Sequence, residues 1–321
     1  MNLSTLKGTE PVARARWSRG VYRAAMVSFA LGGRTRVAIE GEQYLPREPA
    51  IFAVNHTHSY DFLPMRVALF GRGLNLVTWI KARAFGDPLS AAFFSKTGNI
   101  PLCSRGYVIA ADFRDLIGRR PSEDEYRALR DFIDDSVALP DNALFAKLQG
   151  EPRDMLGIRF EPSTTGYRDA IRTLYFEMMQ ATLELARRCV EAGHHMQIYP
   201  QGSVSRRLSP GHVGIIHAAM ALRLPIIASG QSGCREAFVG AGPLTRKGQI
   251  VLRLGEPAHI DYSAYPGDFR AFHPDDEDRH RARLEADTAG IMERVNALLD
   301  PAYQWAPDRQ SDGKQGTARF F

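Results

Sequence analysis

The stretch PAIFAVNH, residues 49–56, constrains the fold more than any other part of the chain. Its apolar residues run unbroken from Ala50 to Val54 instead of alternating with polar ones. A strand with one wet face alternates, whereas an unbroken run needs cover on both faces. TRVAIEGEQYLP, LNLVTWIKARAF, NIPLC, HMQIYP, PIIASG and QIVLRLGEP read as further strands with their turns. Between them lie helical patterns: DFLPMRVALFG, DPLSAAFFSKTG, a long run from Tyr167 to Gly193, GHVGIIHAAMALRL, and residues 276–299. Strands alternating with helices predict an α/β fold with a mixed, mostly parallel central sheet flanked by helices. In such sheets ligands gather beyond the strand ends. NHTHSYD and IYPQGSVSR each follow a predicted strand, so one cleft can hold both.

The main domain is expected over 37–305. Residues 106–165 break the pattern, being charge-rich and interrupted by Pro121, Pro140, Pro152 and Pro162. They read as a helical insertion, and both a lid over a substrate groove and a decorative subdomain fit that pattern. SEDEYRALRDFIDD within it opens with a Ser cap and early acids. Residues 306–321 read as a disordered tail. Residues 1–36 read as a leader plus an amphipathic helix with Trp17, Val21, Tyr22, Ala25, Met26 and Phe29 on one side. With Arg14, Arg16 and Arg19 before it, that helix suits an anionic membrane interface, or it packs on the domain. No signal peptide or spanning segment of about 20 apolar residues is found. A cytoplasmic protein peripheral to the inner face of the membrane is expected.

The 321 residues are 44% hydrophobic and 24% charged, an ordinary globular composition with a net charge of +5. A mild basic excess suits anionic lipid or phosphorylated ligands, while nucleic-acid signatures are lacking and no nucleic-acid partner is expected. Cys103, Cys189 and Cys234 are few and scattered, which fits packing roles in a reducing compartment.

His56, His58 and Asp61 crowd the end of the strand that opens the argument. Two His and an Asp can join a metal site, but no third strong ligand cluster accompanies them, and no metal is expected. The same residues can cap a helix start. Alternatively, His56 is a base and Asp61 binds its other ring nitrogen, fixing the tautomer and stabilising the imidazolium. No GxSxG elbow accompanies the pair. On that reading the nucleophile comes from the substrate, and acyl transfer proceeds without a covalent enzyme intermediate.

NHTHSYD resembles the NHx4D motif of the glycerophospholipid acyltransferase family, which includes the lysophosphatidic acid acyltransferases. GNIPLCSR (98–105), IYPQGSVSR (198–206) and LPIIASG (224–230) are similar to the family's second, third and fourth blocks in order, and LRLGEP is typical of the next strand. The resemblance implies acyl transfer from acyl-CoA or acyl carrier protein, bound as a substrate with no cofactor, to a lysophospholipid or glycerol-phosphate hydroxyl. It implies His56 as base with Asp61 as its partner. Asn55, Arg105, Gln201, Gly202, Ser203 and Arg206 would bind substrate, with Arg105 facing the acceptor's phosphate and backbone N–H groups near Gly202 stabilising an oxyanion. Three departures touch the acceptor side: Gln201 replaces the usual Glu, Val204 stands where an Arg is usual, and Arg105 sits one residue late. They keep open a glycolipid, amino-acid lipid or other alcohol or amine acceptor. Two further readings are a non-catalytic lipid or acyl-carrier binding protein and a thioester hydrolase.

His194 and His195 read as turn residues, and His212 and His217 as surface or packing residues of one helix.

Overall fold

Residues 1–9, 20, 22–24, 27, 29, 34–135, 137–240, 242–313 and 316–319 are described in a computed structural model of the chain. Strands β1 (Thr35–Glu40), β2 (Ile51–Val54), β3 (Leu76–Lys81), β4 (Asn99–Leu102), β7 (His195–Ile198), β8 (Ile226–Ser232) and β9 (Gly248–Ala258) form one sheet. A hairpin of β5 (Arg153–Met155) and β6 (Ile158–Phe160) stands apart from it. The sheet order is β1-β9-β8-β2-β7-β3-β4. From β8 to β4 every neighbour pair is parallel. β9 runs antiparallel to β8 and parallel to β1, so the sheet is mixed and mostly parallel, as the alternation of elements predicts.

β2 shows why its apolar run is continuous. Ile51 and Ala53 belong to one hydrophobic cluster, Phe52 and Val54 to another, and all four are fully buried. The first cluster packs the helices Arg105–Ile117, Tyr167–Glu191, Gly214–Leu222 and Pro274–Ala297 against the sheet. The second packs the helix Phe62–Phe70, together with Tyr22 and Phe29, on the opposite face. Trp17, Val21, Ala25 and Met26, the rest of the expected N-terminal apolar stripe, lie outside the described residues.

The region expected as an insertion supplies the helices Arg105–Ile117, Glu123–Asp135 and Ala143–Gly150 and the β5-β6 hairpin. Its Leu129, Ile133, Phe145, Leu148, Met155 and Phe160 join the first core cluster, so it is packed into the domain and is not a detached unit. Ser122 and Glu125 exchange hydrogen bonds with each other's backbone N–H, a capping box at the start of Glu123–Asp135. Arg153 on the hairpin grips the buried Asp112 with two nitrogens at 2.9 and 2.7 Å. In the segment expected as a tail, Asp312 accepts from Ser205 Oγ at 2.6 Å and from the Arg206 N–H at 2.8 Å. Among the described residues no helix is long and apolar enough to cross a membrane.

Candidate active site

β2 lies between β7 and β8, and its carboxyl end delivers Asn55 and His56 to the middle of the sheet's edge. The loop then turns through an Asp61 N–H bond to the His58 carbonyl and enters the helix Phe62–Phe70. Asp61 stands at the N-cap of that helix but makes no side-chain capping bond. Its carboxylate points back instead. It accepts from the Thr57 and His58 N–H groups at 2.7 and 3.1 Å, and both oxygens lie 3.0 Å from His56 Nδ1. The helix-cap reading of Asp61 therefore gives way to the imidazole-carboxylate pair.

Asp61 is fully buried, whereas the His56 side chain keeps 20% exposure. A carboxylate on Nδ1 fixes the proton there in the neutral ring, leaving the Nε2 lone pair outward. His56 Nε2 has no partner among the described residues and is not buried. Tyr199, which follows β7, stacks on the His56 ring at 4.3 Å between centroids. Burial, then the neighbouring Asp61 carboxylate, holds the Tyr199 phenol well above its ordinary value.

Two side-chain amides tie the backbone around His56 to the neighbouring chain segments. Asn55 accepts from the Gln231 N–H at 2.8 Å and donates to the Gln231 carbonyl at 3.0 Å, continuing the β2-β8 ladder. Gln231 in turn donates to the Asp61 carbonyl at 2.7 Å. On the β7 side, Gln201 accepts from the His56 N–H at 3.2 Å and donates to the His56 carbonyl at 3.3 Å and the Ser203 carbonyl at 3.1 Å. Glutamate has no N–H to donate, so Gln201 does in this chain what the usual Glu cannot. Asn55 and Gln201, expected to touch substrate, are 2% and 4% exposed and act on the loop.

Gly202 takes a left-handed φ of +67°, and a Cβ there would lie 2.9 Å from the His212 ring. Its N–H is bonded to the Tyr199 carbonyl, that of Ser203 to Gln201 and that of Ser205 to His56. These three N–H groups are thus engaged, two within the loop and one by His56, while the Val204 N–H has no partner among the described residues.

Arg105 is not brought to His56. It follows β4, three strands from β2 in the sheet, roughly 14 Å by strand spacing alone. Its terminal nitrogens bind Asp134 at 2.6 Å and Glu277 at 3.0 Å, and its guanidinium lies over Tyr175. Arg206 is exposed, and its side chain has no partner among the described residues.

The remaining histidines divide by burial. His58 Nδ1 accepts from the Tyr60 N–H, its Nε2 meets the Gly240 carbonyl at 2.9 Å, and the ring stacks on Phe238, so it turns away from the dyad. His195 is not a turn residue: it starts β7, and burial, aided by His194, pushes its pKa down to about 4. His212 lies before the helix Gly214–Leu222, and His217 within it is fully buried, 3.5 Å from Glu277. Burial pushes the Cys103 and Cys189 thiols up to about 12. A cavity of about 330 Å³ between Phe176, Met220, Tyr262 and Phe269 includes none of the predicted site residues.

Gln231 and Tyr199 are the residues beside the pair that sequence reasoning missed. A long polar side chain near the end of the buried strand β8 was the available signal for the first. The other carried none, because its partner is distant in sequence.

Residues 36–129 match the family model described as Acyltransferase. No curated protein matches the chain in sequence. Among solved structures, the fold is similar to the crystal structure of the 1-acyl-sn-glycerophosphate (LPA) acyltransferase PlsC from Thermotoga maritima. That match has a TM-score of 0.41 and 12% identity, covering 89% of this chain and 80% of that one.

Two outcomes follow from this geometry. Gln201→Glu, although it restores the usual residue, removes two donated hydrogen bonds and lowers stability by about 2 kcal/mol in urea unfolding. Burial alone would push the Glu277 carboxyl up; the His217 ring, 3.5 Å away, and the Arg105 charge overcome it and hold it at about 2, down from 4.5. A depressed carboxyl stabilises the fold above its ordinary titration range and loses that contribution as pH falls. Wild-type stability therefore drops between pH 4.5 and 2, and Glu277→Gln flattens that limb while losing roughly 3 kcal/mol at pH 7.

Proposed function

We propose, for a chain whose residues 36–129 match the acyltransferase family model, that His56 is the general base of acyl transfer from a thioester to a lipid hydroxyl. The observation that carries this reading is the His56–Asp61 pair at 3.0 Å, with Nε2 open at the end of the central strand. The donor is acyl-CoA or acyl carrier protein, and the acceptor is of lysophospholipid or glycerol-phosphate type.

The acceptor O–H gives its proton to Nε2 as its oxygen attacks the thioester carbonyl carbon. The C–S bond then breaks, and the imidazolium protonates the departing thiolate. Asp61 stabilises the imidazolium between the two transfers. Among the described residues no protein hydroxyl or thiol hydrogen-bonds to Nε2, which supports a nucleophile supplied by the substrate. Cys234, the thiol nearest the pair, is buried, and burial followed by the Asp61 charge holds it well above its ordinary value. Acceptor phosphate would meet Arg206, since Arg105 is closed by carboxylates. That closure also favours a second reading, an acceptor without phosphate.

A membrane surface as the working location is supported by the helix Pro88–Lys96. None of its residues is buried, Leu89 and Phe93 are 84% and 43% exposed, and Lys96 closes its last turn.

Incubation with labelled acyl-CoA or acyl carrier protein and a panel of acceptors, followed by mass analysis of new esters and amides, tests the reaction. His56→Ala is expected to lower turnover by about 10³ or more and Asp61→Asn by about 10² or more, both with the fold retained. Free thiol release without an acceptor would identify a hydrolase instead, and undiminished transfer by His56→Ala would refute the base. Replacing Leu89 and Phe93 together by Glu is expected to weaken cosedimentation with anionic vesicles several-fold, with turnover of a water-soluble acceptor retained; unchanged sedimentation would rule the helix out.

A further inference from the structure

Residues 303–313 run beside the loop that follows β7. Leu208 donates to the Tyr303 carbonyl at 2.9 Å and accepts from the Ala306 N–H at 3.3 Å, and Arg207 reaches the Trp305 carbonyl at 3.2 Å. Arg309 lies over the Trp305 ring and binds Glu293 of the helix Pro274–Ala297 at 3.1 Å. Beyond these anchors Asp312 turns back onto the loop. Its Oδ1 accepts from Ser205 Oγ at 2.6 Å and from the Arg206 N–H at 2.8 Å, and its own N–H donates to Ser205 Oγ at 3.3 Å. Gly313 follows so closely that a Cβ there would collide with the Val204 carbonyl oxygen.

The loop these contacts cover is the one that holds His56. The Ser205 N–H donates to the His56 carbonyl at 2.8 Å, and Gln201 bonds both backbone groups of His56. A hydroxyl and an N–H from consecutive residues that converge on one oxygen make an anion seat, and charge-assisted bonds of this kind are the strong ones. Ser205 is 2% exposed, whereas Asp312 is exposed. The seat therefore belongs to the domain, and the anion is brought to it from outside. The guanidinium of the same Arg206 is exposed and has no partner among the described residues. A single carboxylate oxygen uses the two donors and leaves that cation unanswered. A phosphate monoester brings three terminal oxygens and a charge of about −1.5 to −2, enough for both donors and the guanidinium.

We propose that residues 310–313 are an autoinhibitory strap, in which Asp312 occupies the seat that the phosphate of the acceptor takes during acyl transfer. The identity of the displaced ligand rests on the acyl-transfer reading above; the seat itself does not. Closed, the strap withholds Ser205 Oγ and the Arg206 N–H, so the apparent affinity for a phosphate falls with the fraction of molecules whose seat is open. An acceptor without phosphate has nothing to place there and is indifferent to the carboxylate.

The test titrates glycerol 3-phosphate into the full chain by calorimetry and measures KM and kcat for lysophosphatidate and for monoacylglycerol. Asp312→Ala empties the seat, and Gly313→Ala wedges the strap away from Val204 while keeping the carboxylate. Each is expected to tighten glycerol 3-phosphate binding about fivefold or more. KM for lysophosphatidate falls by the same factor with kcat retained, and KM for monoacylglycerol stays in place. Adding Ser205→Ala to Asp312→Ala takes the gain away. Unchanged binding in either single variant, a gain that survives Ser205→Ala, or an equal fall in KM for monoacylglycerol overturns the proposal. So does inorganic phosphate that binds as tightly as glycerol 3-phosphate, since the seat would then serve free phosphate. Calorimetry needs no acyl donor, so a chain that binds glycerol 3-phosphate through Ser205 but transfers no acyl group counts against the functional reading and leaves the seat standing.

Discussion

The carboxylate of Asp61 decides the character of this end of the sheet. At the first residue of a helix its ordinary use is to satisfy the helix's own N–H groups. Here it spends both oxygens on the preceding loop, holding Thr57, His58 and the His56 ring together. The helix start gives up a cap, and the loop gains a fixed imidazole. Asn55 from one side and Gln201 from the other keep the backbone from relaxing away. Among the described residues, His56 Nε2 is thus the part of the pair left uncommitted.

Much of this was legible in the sequence, for reasons that differ between elements. β2 was legible because a strand covered on both faces cannot hide its composition, and its four residues divide between two cores. His56 and Asp61 were legible because a loop of five residues is short enough for spacing to imply contact. Arg105 was not. Its carboxylates, Asp134 and Glu277, lie 29 and 172 residues away, and nothing local announces them. Gln201 was misread for a related reason: its partner is the backbone of a residue 145 positions earlier, and backbone groups leave no trace in composition.

Burial also separates the histidines in a way that residue type cannot. His195 and His217 look as reactive as His56 on paper, yet one is a strand residue edge-on to Phe52 and the other is enclosed by Phe269 and Phe272. What distinguishes His56 is partial exposure combined with a buried acid.

The sheet order has a consequence for how the chain comes together. β2 is flanked by β7 and β8, and β1 by β9, so the strand that carries the dyad acquires both neighbours only from the second half of the polypeptide. The stretch matched to the acyltransferase family contains β1 to β4, of which only β3 and β4 pair with each other. Recognisable as it is, that stretch is not an autonomous folding unit. Nascent chains must hold an unpaired apolar strand in waiting until β7, residues 195–198, has left the ribosome.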